Sequence, residues 1–361
     1  MTSGNGGTRR LITLFVVFGA AIVGVETLLN RGAVDGTFLF TLTCWTMVVQ
    51  GCVALAAVAE VAKGLWLIPI KRDLLSFHPL LFFAALLYPF MALRIEIYGW
   101  TDHTTAWLNV PFFLGRNMVL LLLAGWVGHL LTRAIMAQDP KKNTYAVYYI
   151  LIFVASESLI AFDWIMSLEY PWISTLFGGY FFIQSFLMGL LVSTFILLSR
   201  ARKKETGLTQ TSHDAGKMIF GFSFMWAGFF FSQYLPIWYG NIPEEVDYVV
   251  KRLGPGRYWA LSRVVFLMAF VIPFVILLSR KVKTVPTAMA GLSVMILVGL
   301  CLEKVVLIDP VVRVDPVVAV IEGALLVVLA SMVYRMRDSF MPQMVMPVIP
   351  HHDMDDAHDA L

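Results

Sequence analysis

Six ionisable residues stand inside apolar stretches of this sequence: Glu26, Arg116, Glu157, Asp163, Arg263 and Glu322. An ionisable side chain near the middle of a bilayer costs about 2.5–3.5 kcal/mol even on the lenient insertion scale, so one kept there is a functional candidate by default. Carboxylates of this kind take up and release protons, and guanidinium groups compensate them. Glu157 and Asp163 are six residues apart, which on an α-helix means a rise of about 9 Å and a turn of about 120°. They cannot share one proton directly, but they could act as successive stations with water or Ser158 between them. Glu157, Asp163, Glu26 and Glu322 are therefore the proton-transfer candidates, with Arg116 and Arg263 as their charge partners. Ser156, Ser158, Gln184 and Gln233 supply polar company. A competing reading gives the same charges only a packing role, and Glu26 and Glu322 sit where a long side chain could snorkel to the surface.

Other chemistry finds little support. Cys44, Cys52 and Cys301 all fall in apolar runs and form no metal-type spacing, so no metal site or iron–sulfur cluster of the chain's own is expected. Of the seven histidines only His129 lies within an apolar span and His78 begins one, so a bis-histidine haem inside the membrane is not expected. Without redox centres the chain cannot carry electrons across a bilayer, and any redox role belongs to a complex. The tail holds His351, His352 and His358 among aspartates. It is expected to be a disordered polar segment rather than a metal site.

The elements that must position these residues follow from composition. Hydrophobic residues make up 59% of the chain and charged residues 14%, with a mean hydropathy of +0.77. A soluble chain carries about 25% charged residues. The net charge of +3 gives no nucleic-acid footprint. Ten stretches are apolar enough to cross a bilayer: Leu11–Leu29, Phe38–Ala59, Pro79–Leu93, Pro111–Leu131, Ala146–Met166, Ile173–Leu198, Met218–Trp238, Trp259–Leu278, Pro286–Cys301 and Val317–Tyr334. With the N-terminus inside, the inner segments hold about 18 Lys and Arg against about 7 outside, which fixes both termini in the cytoplasm. The expected architecture is an all-α integral membrane domain over residues 1–340, followed by a cytoplasmic tail over 341–361. The longest outer loop, Tyr239–Tyr258, reads as a turn-rich cap framed by aromatic residues. In this topology the six charges fall in the outer half, while the inner half offers only Glu60 and His129.

Four stretches carry a resemblance: 162–169 (FDWIMSLE), 174–182 (STLFGGYFF), 231–245 (FSQYLPIWYGNIPEE) and 270–280 (FVIPFVILLSR). Together they resemble the ActF subunit family of bacterial alternative complex III, within the wider NrfD/polysulfide-reductase membrane-subunit family. The resemblance implies two four-helix bundles with flanking helices, in a multi-pass protein of the bacterial inner membrane. It further implies a place in a quinol:electron-acceptor oxidoreductase that oxidises menaquinol or ubiquinol. The partners so implied are an ActC-like membrane subunit, an iron–sulfur subunit and multihaem c-type cytochrome subunits, which hold the clusters and haem c. By position, Asp163 and Gln233 match the family's polar residues. Gln233 and Trp164 are the quinone-side candidates.

Three functions stay open at this stage. The first is a membrane subunit that supports proton transfer on the periplasmic side and is able to bind quinone. The second is a scaffold subunit of the same complex. The third is a stand-alone secondary transporter, for which no Gly/Pro-interrupted pair of helices at matching positions is present.

Overall fold

In the computed structural model, residues 3–29, 35–205 and 208–343 are described, with the side chains of residues 3–5 excepted. The tail histidines and the segment from 344 onward lie outside the described residues. Among the described residues, ten helices are long and apolar enough to span a membrane: α1 (Gly6–Leu29), α2 (Thr37–Val61), α3 (Pro79–Ile97), α4 (Val110–Ala137), α5 (Lys142–Glu169), α6 (Phe177–Arg202), α7 (Leu208–Gly240), α8 (Trp259–Leu277), α9 (Pro286–Ile308) and α10 (Pro316–Ser339). Their outward faces carry bare apolar side chains, among them Leu28, Leu93, Val320 and Val327. Hydrocarbon tolerates such a surface and water does not. The chain is an all-α multi-pass membrane protein.

Helices α2–α5 form one four-helix bundle and α6–α9 a second, while α1 and α10 pair with each other and lean on α2. The bundles meet along α2 and α6, which cross at van der Waals contact of their backbones. A Cβ placed on Gly51 would fall 1.8 Å from the Ser185 carbonyl oxygen, and one on Gly189 would fall 2.2 Å from the carbonyl oxygen of Gly51. Small residues are what permit helices in a membrane to approach so closely. Gly51→Ala or Gly189→Ala is therefore expected to force the helices apart and cost about 1–3 kcal/mol or more. A thermal unfolding series in detergent checks this against Gly291→Ala, where nothing lies within 4 Å of the added carbon.

Two helices depart from α geometry. In α5 the segment Ile160–Ile165 is a π-turn, and in α8 the segment Leu267–Val271 is another. The second lies just before Pro273, whose missing N–H and ring disfavour a regular turn. The first falls between Glu157 and Asp163, so the expected 120° offset does not hold: the inserted residue re-aims everything beyond it. π-turns are concentrated at functional positions.

Several sequence expectations need correction. The outer loop Tyr239–Tyr258 is not a plain cap: it contains the helix Pro243–Leu253. Pro at the first position, Glu244 and Glu245 in the first turn, and Lys251 and Arg252 in the last are start and stop features of a helix. α9 runs to Ile308 rather than Cys301, which carries Glu303 and Lys304 into the bundle. The inner half is also richer in charge than expected. Asp73, on a short helix (Ile68–Leu75) at the inner face, is fully buried between Arg200 and Arg337 at 2.6 and 2.7 Å. Glu60 holds both Lys71 and Lys142, and His78 Nε2 lies 3.2 Å from His129 Nδ1.

Candidate functional site: buried carboxylates in the outer half

The six candidate charges do not gather at one point. Asp163, turned by the π-segment toward α4, meets Arg116 in a two-pronged ion pair. Arg116 Nε donates to Asp163 Oδ2 and Nη2 to Oδ1, both at 2.7 Å. Asn117 Nδ2 adds a bond to Oδ2 at 2.7 Å, and Trp107 Nε1 one to Oδ1 at 3.3 Å. A carboxylate offers about four lone-pair sites, and these four donors fill them. Arg116 in turn lies over the rings of Trp107 and Phe112, at 4.3 and 4.8 Å. Trp164 closes the same knot: its indole N–H donates to Asn117 Oδ1 at 3.0 Å, and its ring stacks on Tyr88. It is fully buried and lines neither of the two cavities described below.

Arg263 pairs with no carboxylate among the described residues. It is exposed on the outer turns of α8, with its guanidinium 3.4 Å from the centre of the Trp259 ring. This is the position of a snorkelling interfacial cation, and the expected role as a buried charge partner does not apply.

Glu26 is buried and pairs with Arg94 at 3.0 Å. The third apolar run predicted from the sequence ends at Leu93, which puts Arg94 in the loop that follows. In the structure a 3-10 segment, Tyr88–Ile97, continues the helix and turns Arg94 inward. Glu322 of α10 lies beside Glu26 and Thr41. Two carboxylates and one guanidinium thus share the space between α1, α3 and α10.

Glu157 turns the other way, toward α6. Ser185 Oγ donates to its Oε1 at 3.0 Å, while Oε2 has no hydrogen-bond partner among the described residues. Next to Ser185 on α6, Gln184 joins a group the sequence reading missed. Glu303 Oε1 accepts from the Tyr180 hydroxyl and from Gln184 Nε2, and Lys304 donates to Gln184 Oε1. Lys304 also sits 3.5 Å from Glu303 Oε2 and 4.2 Å from the centre of the Phe181 ring. Lys304 is wholly inaccessible to solvent, yet its charge reaches Glu157. Adjacent opposite charges near the end of an apolar run look like the start of a loop. The signal that could have exposed them is Tyr180 and Gln184, four residues apart on one face of α6.

Glu303 opens onto a cavity of about 100 Å³. Its other walls include Tyr180, Trp226, Gln233, Tyr248 and Arg252. The Trp226 indole N–H and the Tyr248 hydroxyl have no hydrogen-bond partner among the described residues. Burial pushes the Tyr248 phenol up to about 12, so it stays a neutral donor. An apolar cavity that holds benzene measures about 150 Å³, and a water occupies about 30 Å³. This smaller space, mostly apolar with a few polar groups in its wall, suits a few waters. Gln233, a quinone-side candidate, forms part of this wall and bonds Ser174 at 3.4 Å. Toward the outer face, Arg252 pairs with Glu169 at 2.6 Å. Glu157 bonds Ser185, the chain neighbour of Gln184 in the Glu303–Lys304 group, and Arg252 joins the cavity wall to Glu169.

Comparison of the sequence with protein-family models and with curated proteins gives no match.

Proposed function

We propose that this chain is a membrane subunit of a quinol-oxidising complex of the alternative complex III type, in a bacterial inner membrane. In this reading it holds no redox centre of its own and moves protons toward the periplasmic face. The family part of the reading rests on the four sequence stretches described above. The proton part rests on one observation: a buried Glu303, bonded to Tyr180 and Gln184 and close to Lys304, opens onto a water-sized cavity. Quinol oxidation releases two protons for each quinol, and a buried carboxylate with a wet exit is the group that would receive and pass them on. Glu157, with one oxygen uncommitted, is the deeper station. The iron–sulfur and multihaem c-type subunits, with an ActC-like membrane subunit, would supply electron transfer and the main quinol site.

The test is proton release. The complex carrying Glu157→Gln, reconstituted in vesicles, is expected to release protons at least tenfold more slowly during quinol oxidation than the unaltered complex. Unchanged proton release would remove Glu157 from the path.

A second reading, in which the chain is a scaffold of the same complex, draws support from the saturated Asp163–Arg116 knot. With every lone pair of Asp163 engaged, that carboxylate serves packing in either reading. Asp163 is accordingly assigned to holding α4 and α5 together, and Glu157 and Glu303 to the proton path.

A further inference from the structure

A second cavity, of about 910 Å³, lies on the opposite side of α9 from Glu303, bounded by α2, α6, α9 and α10. One wall is a stripe along α10: Pro316, Ala319, Val320, Gly323, Leu326 and Val327, continued by Ala330, Ser331 and Tyr334. From Pro316 to Tyr334 the stripe is about 27 Å long, close to the thickness of a bilayer core, about 30 Å. The lining is almost wholly hydrocarbon. α10 packs on α1 and α2, and the groove parts it from α9.

Lining and charge decide what fills it. The hydrocarbon lining and the length of the stripe suit the acyl chains of a lipid. The two ends of the groove differ in charge. At the inner end, Phe77, Ser199 and Tyr334 form the rim, with Ser199 Oγ and the Tyr334 hydroxyl 3.0 Å apart. The stripes of α6 and α10 continue past this rim, at helical spacing, to Arg202, Lys203 and Arg335. These three are exposed and form no ion pair among the described residues, whereas the neighbouring Arg72, Arg200 and Arg337 are engaged by Asp338, Asp73 and Glu205. Six cations against three carboxylates leave an excess of three positive charges. At the outer end, two carboxylates, Asp35 and Asp315, lie near each other. A basic excess on the inner side of a membrane protein attracts anionic headgroups.

The geometry points to a binding site for an anionic phospholipid of the inner leaflet, with its acyl chains in the groove and its phosphate on Arg202, Lys203 and Arg335. The lipid wedges the α1/α10 pair against the two bundles. This inference is independent of the quinol reading.

The experiment is native mass spectrometry of the full chain, with whatever subunits it retains, purified in detergent with equal amounts of phosphatidylglycerol and phosphatidylcholine. The unaltered chain is expected to keep one phosphatidylglycerol and to prefer it at least tenfold. Arg202→Gln, Lys203→Gln and Arg335→Gln together are expected to abolish the preference. The charge-matched pair Arg133→Gln and Lys141→Gln, at the inner ends of α4 and α5, should leave it intact. Gly323→Leu with Ala330→Leu fills the groove and should remove the bound lipid altogether. Gly323 has nothing within 4 Å of an added Cβ, so this variant is expected to fold. Equal retention of both lipids by the unaltered chain, full retention by the filled variant, or an isoprenoid, a detergent molecule or a partner's helix in place of the phospholipid would each overturn the assignment.

Discussion

Arg116→Met is expected to destabilise the chain by about 3–5 kcal/mol, because it leaves Asp163 as a buried carboxylate stripped of its counter-charge. The structure supplies the reason for so large an effect. Both Asp163 oxygens bond Arg116 at 2.7 Å, and the pair is shielded by Trp107, Phe112 and Phe113. Asp163→Leu alone strands the guanidinium and should cost a similar amount. The double variant, Arg116→Met with Asp163→Leu, removes both charges at once. It should cost clearly less than the sum of the two, since replacing a whole buried pair by apolar groups is often close to neutral. Thermal unfolding of the four proteins in one detergent gives this cycle directly. Arg263→Gln is the contrast: on an exposed turn, with no carboxylate partner, its loss should fall within about 0.5 kcal/mol of zero. Additive losses at Arg116 and Asp163 would mean that the two residues are not the coupled unit described.

If the proposed function holds, Glu303→Gln is expected to slow quinol-driven turnover of the complex by about 10²–10⁴-fold, the factor by which a positioned proton acceptor typically speeds a reaction. Glutamine keeps the shape and can still accept from Tyr180, but it cannot take the proton. The substitution also leaves Lys304 buried without its neighbouring carboxylate, so slower turnover could reflect a damaged fold. The double variant Glu303→Gln with Lys304→Met separates the two causes. It restores charge balance, and unfolding temperature should recover toward that of the unaltered protein. Turnover should stay low, because the proton acceptor is still missing. Recovery of turnover together with stability would assign the pair to packing.

The fold was largely legible in the sequence because hydropathy reports burial in lipid directly. Ten apolar runs become ten helices long and apolar enough to span a membrane among the described residues. The site was legible only in part. Glu157, Glu26 and Glu322 stand out as carboxylates within apolar runs, and all three are buried. Their partners do not stand out, because each comes from another helix. Arg94 and Lys304 sit at the ends of apolar runs, where a one-dimensional reading expects a loop. Asp73 lies in a short helix at the inner face, outside any span, and its two arginines arrive from the ends of α6 and α10. The π-turn over Ile160–Ile165 follows from how α5 packs on its neighbours, and nothing in the residue types of that segment announces it. Arg263 shows the opposite error: position within an apolar run suggested burial, but the helix turns that residue to the interface beside Trp259.

Purification of the tagged full chain from native membranes in a mild detergent tests the central claim most directly. The account predicts that it elutes within a larger complex whose spectrum shows c-type haem and iron–sulfur clusters, and that the same fraction oxidises quinol. Elution as a stable single chain, with no haem- or cluster-bearing partner and no quinol oxidation in its fraction, would contradict it.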